Sequence, residues 1–224
     1  MSSINLGPIE SPLFQTARES ARFQALDLAE RGVGLLLLVI ASPVLVVSAL
    51  AVMVFSRRSP FVAHLRVSRN GGPFWMLKLR TMWDDDEPHP AAARWTEHII
   101  AEPATDDKDP SDSRITSRFA AFCRRHSIDE LPQLWHVVSG EMALVGPRPL
   151  TRAEINRHYG EKASELLSVK PGLTGLWQIA GRSAIPFPQR AAMDLELVRS
   201  LRPGVYLSIL ARTLPALITG RGAW

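Results

Sequence analysis

The sequence predicts a small α/β domain, mostly helical, carried on an N-terminal membrane helix. Three observations predict it. Val33 to Phe55 is an apolar run of 23 residues without a charge. Two short extended runs flank a turn cluster at Asn70-Gly71-Gly72-Pro73. Apolar residues then recur at helical spacing at Phe119, Phe122 and Cys123, and again from Leu195 to Leu217. The length of 224 residues fits one domain and an anchoring segment. A single cysteine, Cys123, excludes an internal disulfide framework and a cysteine-based zinc site. With 46% hydrophobic and 21% charged residues the chain is not a disordered one. The net charge of +4 admits anionic partners without naming any. Arginine, 22 of the 26 bases, suits bidentate phosphate binding, although genome composition produces the same skew.

The apolar run comes first. As a straight helix it would be roughly 35 Å long, enough to cross a bilayer. A cleaved signal peptide does not fit, because Glu10, Glu19, Asp27 and Glu30 precede the run and no small-residue cleavage site follows it. Pro43, after Ser42, removes a hydrogen bond near the middle, so a kink or break is expected there. Each half alone is too short to span. Arg31 before the run and Arg57-Arg58 after it make both ends read as cytoplasmic. A kinked span, a re-entrant hairpin and a buried core helix all remain open on residues alone. The organisation expected is a tail over 1–23, a membrane-embedded helix broken at Ser42-Pro43 over 24–58, and a domain over 59–224.

Arg57 to Met82 holds six bases and no acid, interleaved with aromatic and apolar residues. It reads as a juxtamembrane segment on anionic headgroups, or as a phosphate site in which a hairpin turn brings Arg66 and Lys78 close together. Nucleic acid is not an expected partner for a chain held at a membrane. Residues 84–113 carry two aspartate clusters around a short helix-like stretch and read as a solvated acidic loop; their spacing matches no calcium loop.

A helix is expected to lead towards Ser127, and Pro132 fits the first turn of another. Asp129 and Glu130 therefore fall at or just before a helix N-terminus, with Arg124 and Arg125 upstream. The helix dipole and the guanidiniums favour ionised carboxylates. One such carboxylate could attack a phosphoryl centre while its neighbour binds magnesium. Acids in a first turn also serve helix stability alone, and Ser127-x-x-Glu130 matches a capping box, a match disfavoured because it would put Pro132 inside the helix. Pro147 and Pro149 fix the backbone around Arg148, and a held arginine suits phosphate recognition. Val169 to Arg182 is a glycine-rich loop whose backbone could approach phosphates, with Trp177 either a stacking surface or core.

Taken together these segments resemble the bacterial sugar transferases, the monotopic polyprenyl-phosphate phosphoglycosyl transferases. The resemblance covers about residues 24–224. It rests on Ser42-Pro43, Lys78-Leu-Arg-Thr-Met82, Arg114-Ile-Thr116, Ser127-Ile-Asp-Glu-Leu-Pro-Gln133, Gly146-Pro-Arg-Pro149 and Lys170-Pro-Gly-Leu-Thr-Gly-Leu-Trp-Gln178, in that order. It implies transfer of a sugar 1-phosphate from a nucleotide diphosphate sugar, usually a UDP-sugar, to undecaprenyl phosphate. The route it implies is a phosphosugar-aspartate intermediate with Mg2+. By residue match Asp129 is the nucleophile, and Glu130 the second catalytic carboxylate and metal ligand. Arg124, Arg148, Lys78 and Arg80 would hold phosphates, and Lys170, Thr174, Trp177, Gln178 and Arg182 would line the substrate loop. The resemblance also selects the re-entrant helix, and it places the domain on the cytoplasmic face of the bacterial inner membrane with membrane lipids as neighbours.

Further on, Leu195, Val198 and Leu201, then Tyr206 to Leu217, suggest two amphipathic interface helices separated by Pro203-Gly204. The ending Thr213-Leu-Pro-Ala216 with Arg221-Gly-Ala-Trp224 is similar to the tail of galactose-phosphate transferases that begin exopolysaccharide repeats. The alternative function is a catalytically silent membrane-surface module that binds nucleotide sugars or anionic lipid and recruits assembly proteins. Nothing in the sequence sets the sugar or the oligomeric state.

Overall fold

The computed structural model describes residues 13–82, 95–99 and 117–219, with side chains from Gln24 onward except Ser183 and Ile218. Most of the 1–23 tail, the acidic stretch apart from 95–99, Arg114-Ile-Thr116 and Arg221–Trp224 lie outside the described residues.

Helix α1 (Leu13–Ser56) carries the apolar run. It is apolar all round, yet one stripe of it touches the rest of the protein: Gly34, Leu38, Ala41, Leu45, Ser48, Ala49 and Val52, at the helical spacing of three and four. Leu36, Ile40, Val47 and Val54, on other faces, are largely exposed. The helix continues through Pro43, where a break was expected. Proline leaves the carbonyl four residues earlier without its helical donor. That carbonyl belongs to Val39, and the Ser42 hydroxyl donates to it at 2.7 Å.

Strands β1 (Phe61–Val67) and β2 (Pro73–Leu79) form the expected antiparallel hairpin, with Asn70 and Gly71 at positive φ in its turn. Its register corrects one expectation. Lys78 faces Val62 and Arg66 faces Phe74, so the two bases sit four residues apart along the ladder, about 14 Å, at opposite ends. Strand β3 (Thr96–Ile99) lies parallel to β1, where a helix-like stretch was expected. Its four residues owe their extended form to pairing with β1, which short-range spacing does not reveal.

Helix α2 (Arg118–Arg125), capped by Ser117, leads as expected to Ser127. A 3-10 helix (Ile128–Gln133) with Pro132 inside it passes into α3 (Leu134–Ser139). Then come β4 (Ala143–Val145), α4 (Arg152–His158), α5 (Ala163–Leu166), β5 (Gly172–Thr174), α6 (Leu176–Ala180), α7 (Phe187–Ser200) and α8 (Pro203–Thr219). The last two are the expected pair, divided before Pro203. The architecture is thus the mostly helical α/β domain predicted. Leu38 and Ala41 of α1 pack against Phe74, Met76, Leu134, Val137 and Leu144, and Ala49 and Val52 pack against Leu79 and Cys123. The membrane helix and the domain share one core.

Candidate active site

Ser127 adopts a left-handed conformation (φ 55°) and caps nothing with its side chain, so the capping-box alternative fails. The next residues wind into the 3-10 helix, whose first turn presents Asp129 and Glu130. Asp129 is buried and Glu130 is partly open. Three cations approach them. Lys78, near the end of β2, places Nζ 3.3 Å from Glu130 Oε1. Arg148 reaches the same oxygen at 3.8 Å. Arg182, whose guanidinium is pulled below its usual range chiefly by burial, feels both carboxylates pulling the other way and Arg148 adding to the fall. Arg182 is itself left-handed (φ 54°) and donates to the hydroxyl of left-handed Ser127. Two non-glycine residues in this sparsely populated region thus hold each other beside Asp129.

The turn carrying Arg148 is fixed by strand pairing. Strand β4 runs parallel to β5 with Ala143 opposite Gly172 and Val145 opposite Thr174. Gly146 donates to the Thr174 carbonyl at 2.9 Å, and Gly172 donates to the Pro147 carbonyl at 2.8 Å. The backbones approach so closely that a Cβ on Gly172 would lie 2.0 Å from the Gly146 nitrogen. Only glycine fits there. Proline on both sides then stiffens the turn.

Behind Arg148 lies a residue that sequence reasoning missed. Asp194 of α7 is buried and accepts a 3.0 Å hydrogen bond from the Tyr159 hydroxyl. Burial pushes its carboxyl up to about 7, against the pull of Tyr159 and of the backbone and charge of Arg148. The indole Nε1 of Trp177 approaches the same carboxylate without reaching hydrogen-bond geometry. Trp177 is buried, and its ring lies 5.5 Å from the Arg148 guanidinium and 5.1 Å from that of Arg190. It is a core residue that also supports the Arg148 guanidinium. One signal in the sequence could have flagged Asp194: a lone acid on the apolar face of α7, next to Leu195.

Other predicted site residues have surroundings of their own. Arg80 is buried and spends its guanidinium on Glu97 of β3 at 2.5 Å and on the Ser59 carbonyl at 2.8 Å. Lys170 pairs with Asp27 of α1. Thr174 is buried with its hydroxyl 2.9 Å from that of Thr213. Arg124 stands in the last turn of α2, and neither its Nε nor Gln178 Oε1 has a hydrogen-bond partner among the described residues. Cys123, next to Asp129, is fully buried, and burial with that negative neighbour pushes its thiol up to about 12.

Among the described residues no three His, Cys, Asp or Glu side chains converge. The arrangement is two adjacent carboxylates, one of them under three cations, at the foot of an apolar helix. It can receive a phosphate anion and present a carboxylate to it.

A family model described as bacterial sugar transferase matches residues 22–220. The chain is similar to a UDP-galactose-lipid carrier transferase of Erwinia amylovora, 38% identical over 80% of this chain and 38% of that one. It is similar to the exopolysaccharide production protein ExoY of Rhizobium meliloti, 38% identical over 74% of this chain and 73% of that one. It also matches a UDP-glucose:undecaprenyl-phosphate glucose-1-phosphate transferase of Caulobacter vibrioides, 34% identical over 84% and 68% of the two chains. The chain thus spans about two fifths of the length of some relatives and most of others.

Proposed function

Because the chain belongs to the bacterial sugar transferase family, we propose that it moves a sugar 1-phosphate from a nucleotide diphosphate sugar, a UDP-hexose, to undecaprenyl phosphate. The observation that carries the reading is the Asp129-Glu130 pair beneath Lys78, Arg148 and Arg182. The relatives' names, which speak of UDP-galactose, UDP-glucose and undecaprenyl phosphate, supply the substrate classes.

In the first half-reaction an Asp129 carboxylate oxygen attacks the phosphorus that bears the sugar. The bond from that phosphorus to the bridging diphosphate oxygen breaks, and UMP leaves with the electron pair. In the second, an undecaprenyl phosphate oxygen attacks the same phosphorus and Asp129 departs as carboxylate. Lys78 and Arg148 offset the charge on the phosphates, which is the largest barrier to anionic attack. Trp177 and Asp194 hold Arg148 in place while this happens.

The donor set fits magnesium. That ion keeps several waters and takes one or two carboxylates with the substrate's phosphates, which Glu130, with Asp129 beside it, provides. Bound there, it would supply charge neutralisation on the diphosphate.

The contacts of α1, which runs unbroken through Pro43, support a placement in which both of its flanks stay on the side of the domain, at the cytoplasmic face. A spanning helix would carry Asp27 and Glu30 to the side opposite residue 57. Yet Asp27 and Glu30 pair with Lys170, Leu144 and Tyr206, while Ala49 and Val52 pack on Leu79 and Cys123 of the same domain.

The test is nucleotide release by lipid-reconstituted protein given Mg2+, undecaprenyl phosphate and a panel of UDP-sugars. UMP release from one sugar, reduced at least about a thousandfold in Asp129→Asn, is expected. Undiminished release by the variant would remove Asp129 as nucleophile. Silence of the parent across the panel, with nucleotide sugar still bound, would favour the recruiting module.

A further inference from the structure

Two acids of α1, Asp27 and Glu30, stand just before its apolar run, and both spend their charge on the domain. Glu30 Oε1 accepts the Leu144 backbone N–H at 2.5 Å and the Tyr206 hydroxyl. Three residues earlier on α1, Asp27 Oδ1 accepts from Lys170, and its Oδ2 holds Arg31 at 2.8 Å. Arg31 in turn lies over Gly140, where a Cβ would come within 2.2 Å of its guanidinium.

The places gripped are not arbitrary. Leu144 is the centre of β4, which leads straight into Gly146-Pro147-Arg148. The amide of Ala143 in β4, and that of Gly146 just past it, are spent on the β5 side, on Pro171 and Thr174. The Leu144 N–H points to the other edge, where no strand lies among the described residues, and Glu30 fills that edge. Lys170 stands two residues before β5, the strand that receives the Arg148 turn. Glu30 therefore holds β4 at its free edge, and Asp27 holds the approach to β5 at Lys170.

We infer that Asp27 and Glu30 are positioning residues: through β4 and β5 the membrane helix sets where Arg148 stands over Glu130. Lys170 on this assignment is a lock for the helix, not a substrate ligand. The lever is short. Three residues separate Leu144 from Arg148, two of them, Gly146 and Pro147, in fixed backbone contact with the β5 segment. A change in the depth or tilt of α1 thus reaches the phosphate-facing arginine without passing through the hydrophobic core.

The inference rests on the reading of Arg148 as a phosphate binder, so the test has two readouts. The first is backbone hydrogen exchange of the full chain in nanodiscs. Glu30→Ala is expected to raise exchange in a peptide covering 143–149 by about tenfold or more, with the β1–β2 hairpin unchanged. Glu30→Gln, which keeps an acceptor oxygen, is expected to stay within about threefold of the parent. Equal exchange at 143–149 in the alanine variant would overturn the inference, and so would loosening of the hairpin to the same degree. The second is nucleotide release. Asp27→Lys and Lys170→Asp are each expected to lower it about tenfold, and the double exchange to recover most of the loss. Glu30→Ala is expected to add little to the loss already caused by Arg148→Ala. Multiplying losses, or a double exchange no better than either single, would sink the proposal. A parent that releases no nucleotide but shows the exchange pattern would instead leave the clamp standing and remove the catalytic reading.

Discussion

At the scale of single residues, the site is a contest between burial and charge, and Asp194 shows it most clearly. Its carboxyl lies between a tyrosine hydroxyl and the backbone of Arg148, yet burial outweighs both and pushes it up to about 7. In the unfolded chain it titrates near the usual carboxyl value, about 3.9. A group raised on folding contributes stability in full below the unfolded value and loses it as pH rises through the folded one. This carboxyl should therefore make the protein less stable between about pH 4 and pH 7, by at most about 1.4 kcal/mol for each pH unit climbed. Asp194→Asn should flatten that slope in urea denaturation at pH 5 and pH 7.5; an unchanged slope would show that Asp194 is not its source. Single residues are also where the sequence is most legible. Asp129, Glu130, Arg148 and Lys78 each lie in a segment whose local chemistry is visible in sequence (a proline-bounded helix start, a Pro-Arg-Pro turn, the end of an extended run), but only the family resemblance grouped them, because Lys78 and Glu130 are 52 residues apart. Arg80, Lys170 and Asp194 are not legible, since their partners Glu97, Asp27 and Tyr159 lie 17, 143 and 35 residues away.

At the scale of elements, helices and the hairpin are readable and the short strands are not. The β1–β2 hairpin follows from Asn-Gly turn chemistry. Strands β4 and β5, three residues each, carry no period of their own and exist through their mutual pairing. Helix α4 does announce itself, by a capping box at Thr151 and Glu154 whose two reciprocal bonds are both formed. Proline in α1 reads as a break because the sequence rule counts the lost N–H alone. The Ser42 hydroxyl answers that loss at the Val39 carbonyl. Ser42→Ala should then lower stability by about 1 kcal/mol in a lipid-mimetic unfolding assay. Adding Pro43→Ala should recover it, because an alanine N–H can take the same carbonyl. Recovery absent, or no loss in the single variant, would show that the serine does not support the helix.

At the scale of the whole molecule, the decisive fact is that α1 touches the domain from Asp27 to Val52 along one stripe. On the placement proposed above, both flanks of the helix face the cytoplasm. A cysteine at Ser3 should resist an impermeant thiol reagent applied to intact cells and react after lysis. The parent chain is the blank, its Cys123 being buried and held as the thiol. Labelling of Ser3→Cys from outside would establish a spanning helix. Length and apolarity of α1 are plain in the sequence; which face of it meets the domain is not, because an all-round apolar helix has no face to read. The shared core also bears on how the protein can be handled. Trimming away α1 would not release a soluble catalytic fragment. It would uncover Phe74, Leu134, Val137, Leu79 and Cys123 together and strip the Leu144 amide of its acceptor. What looks like a tether is a structural wall, and a shortened chain should be judged as a half-built protein.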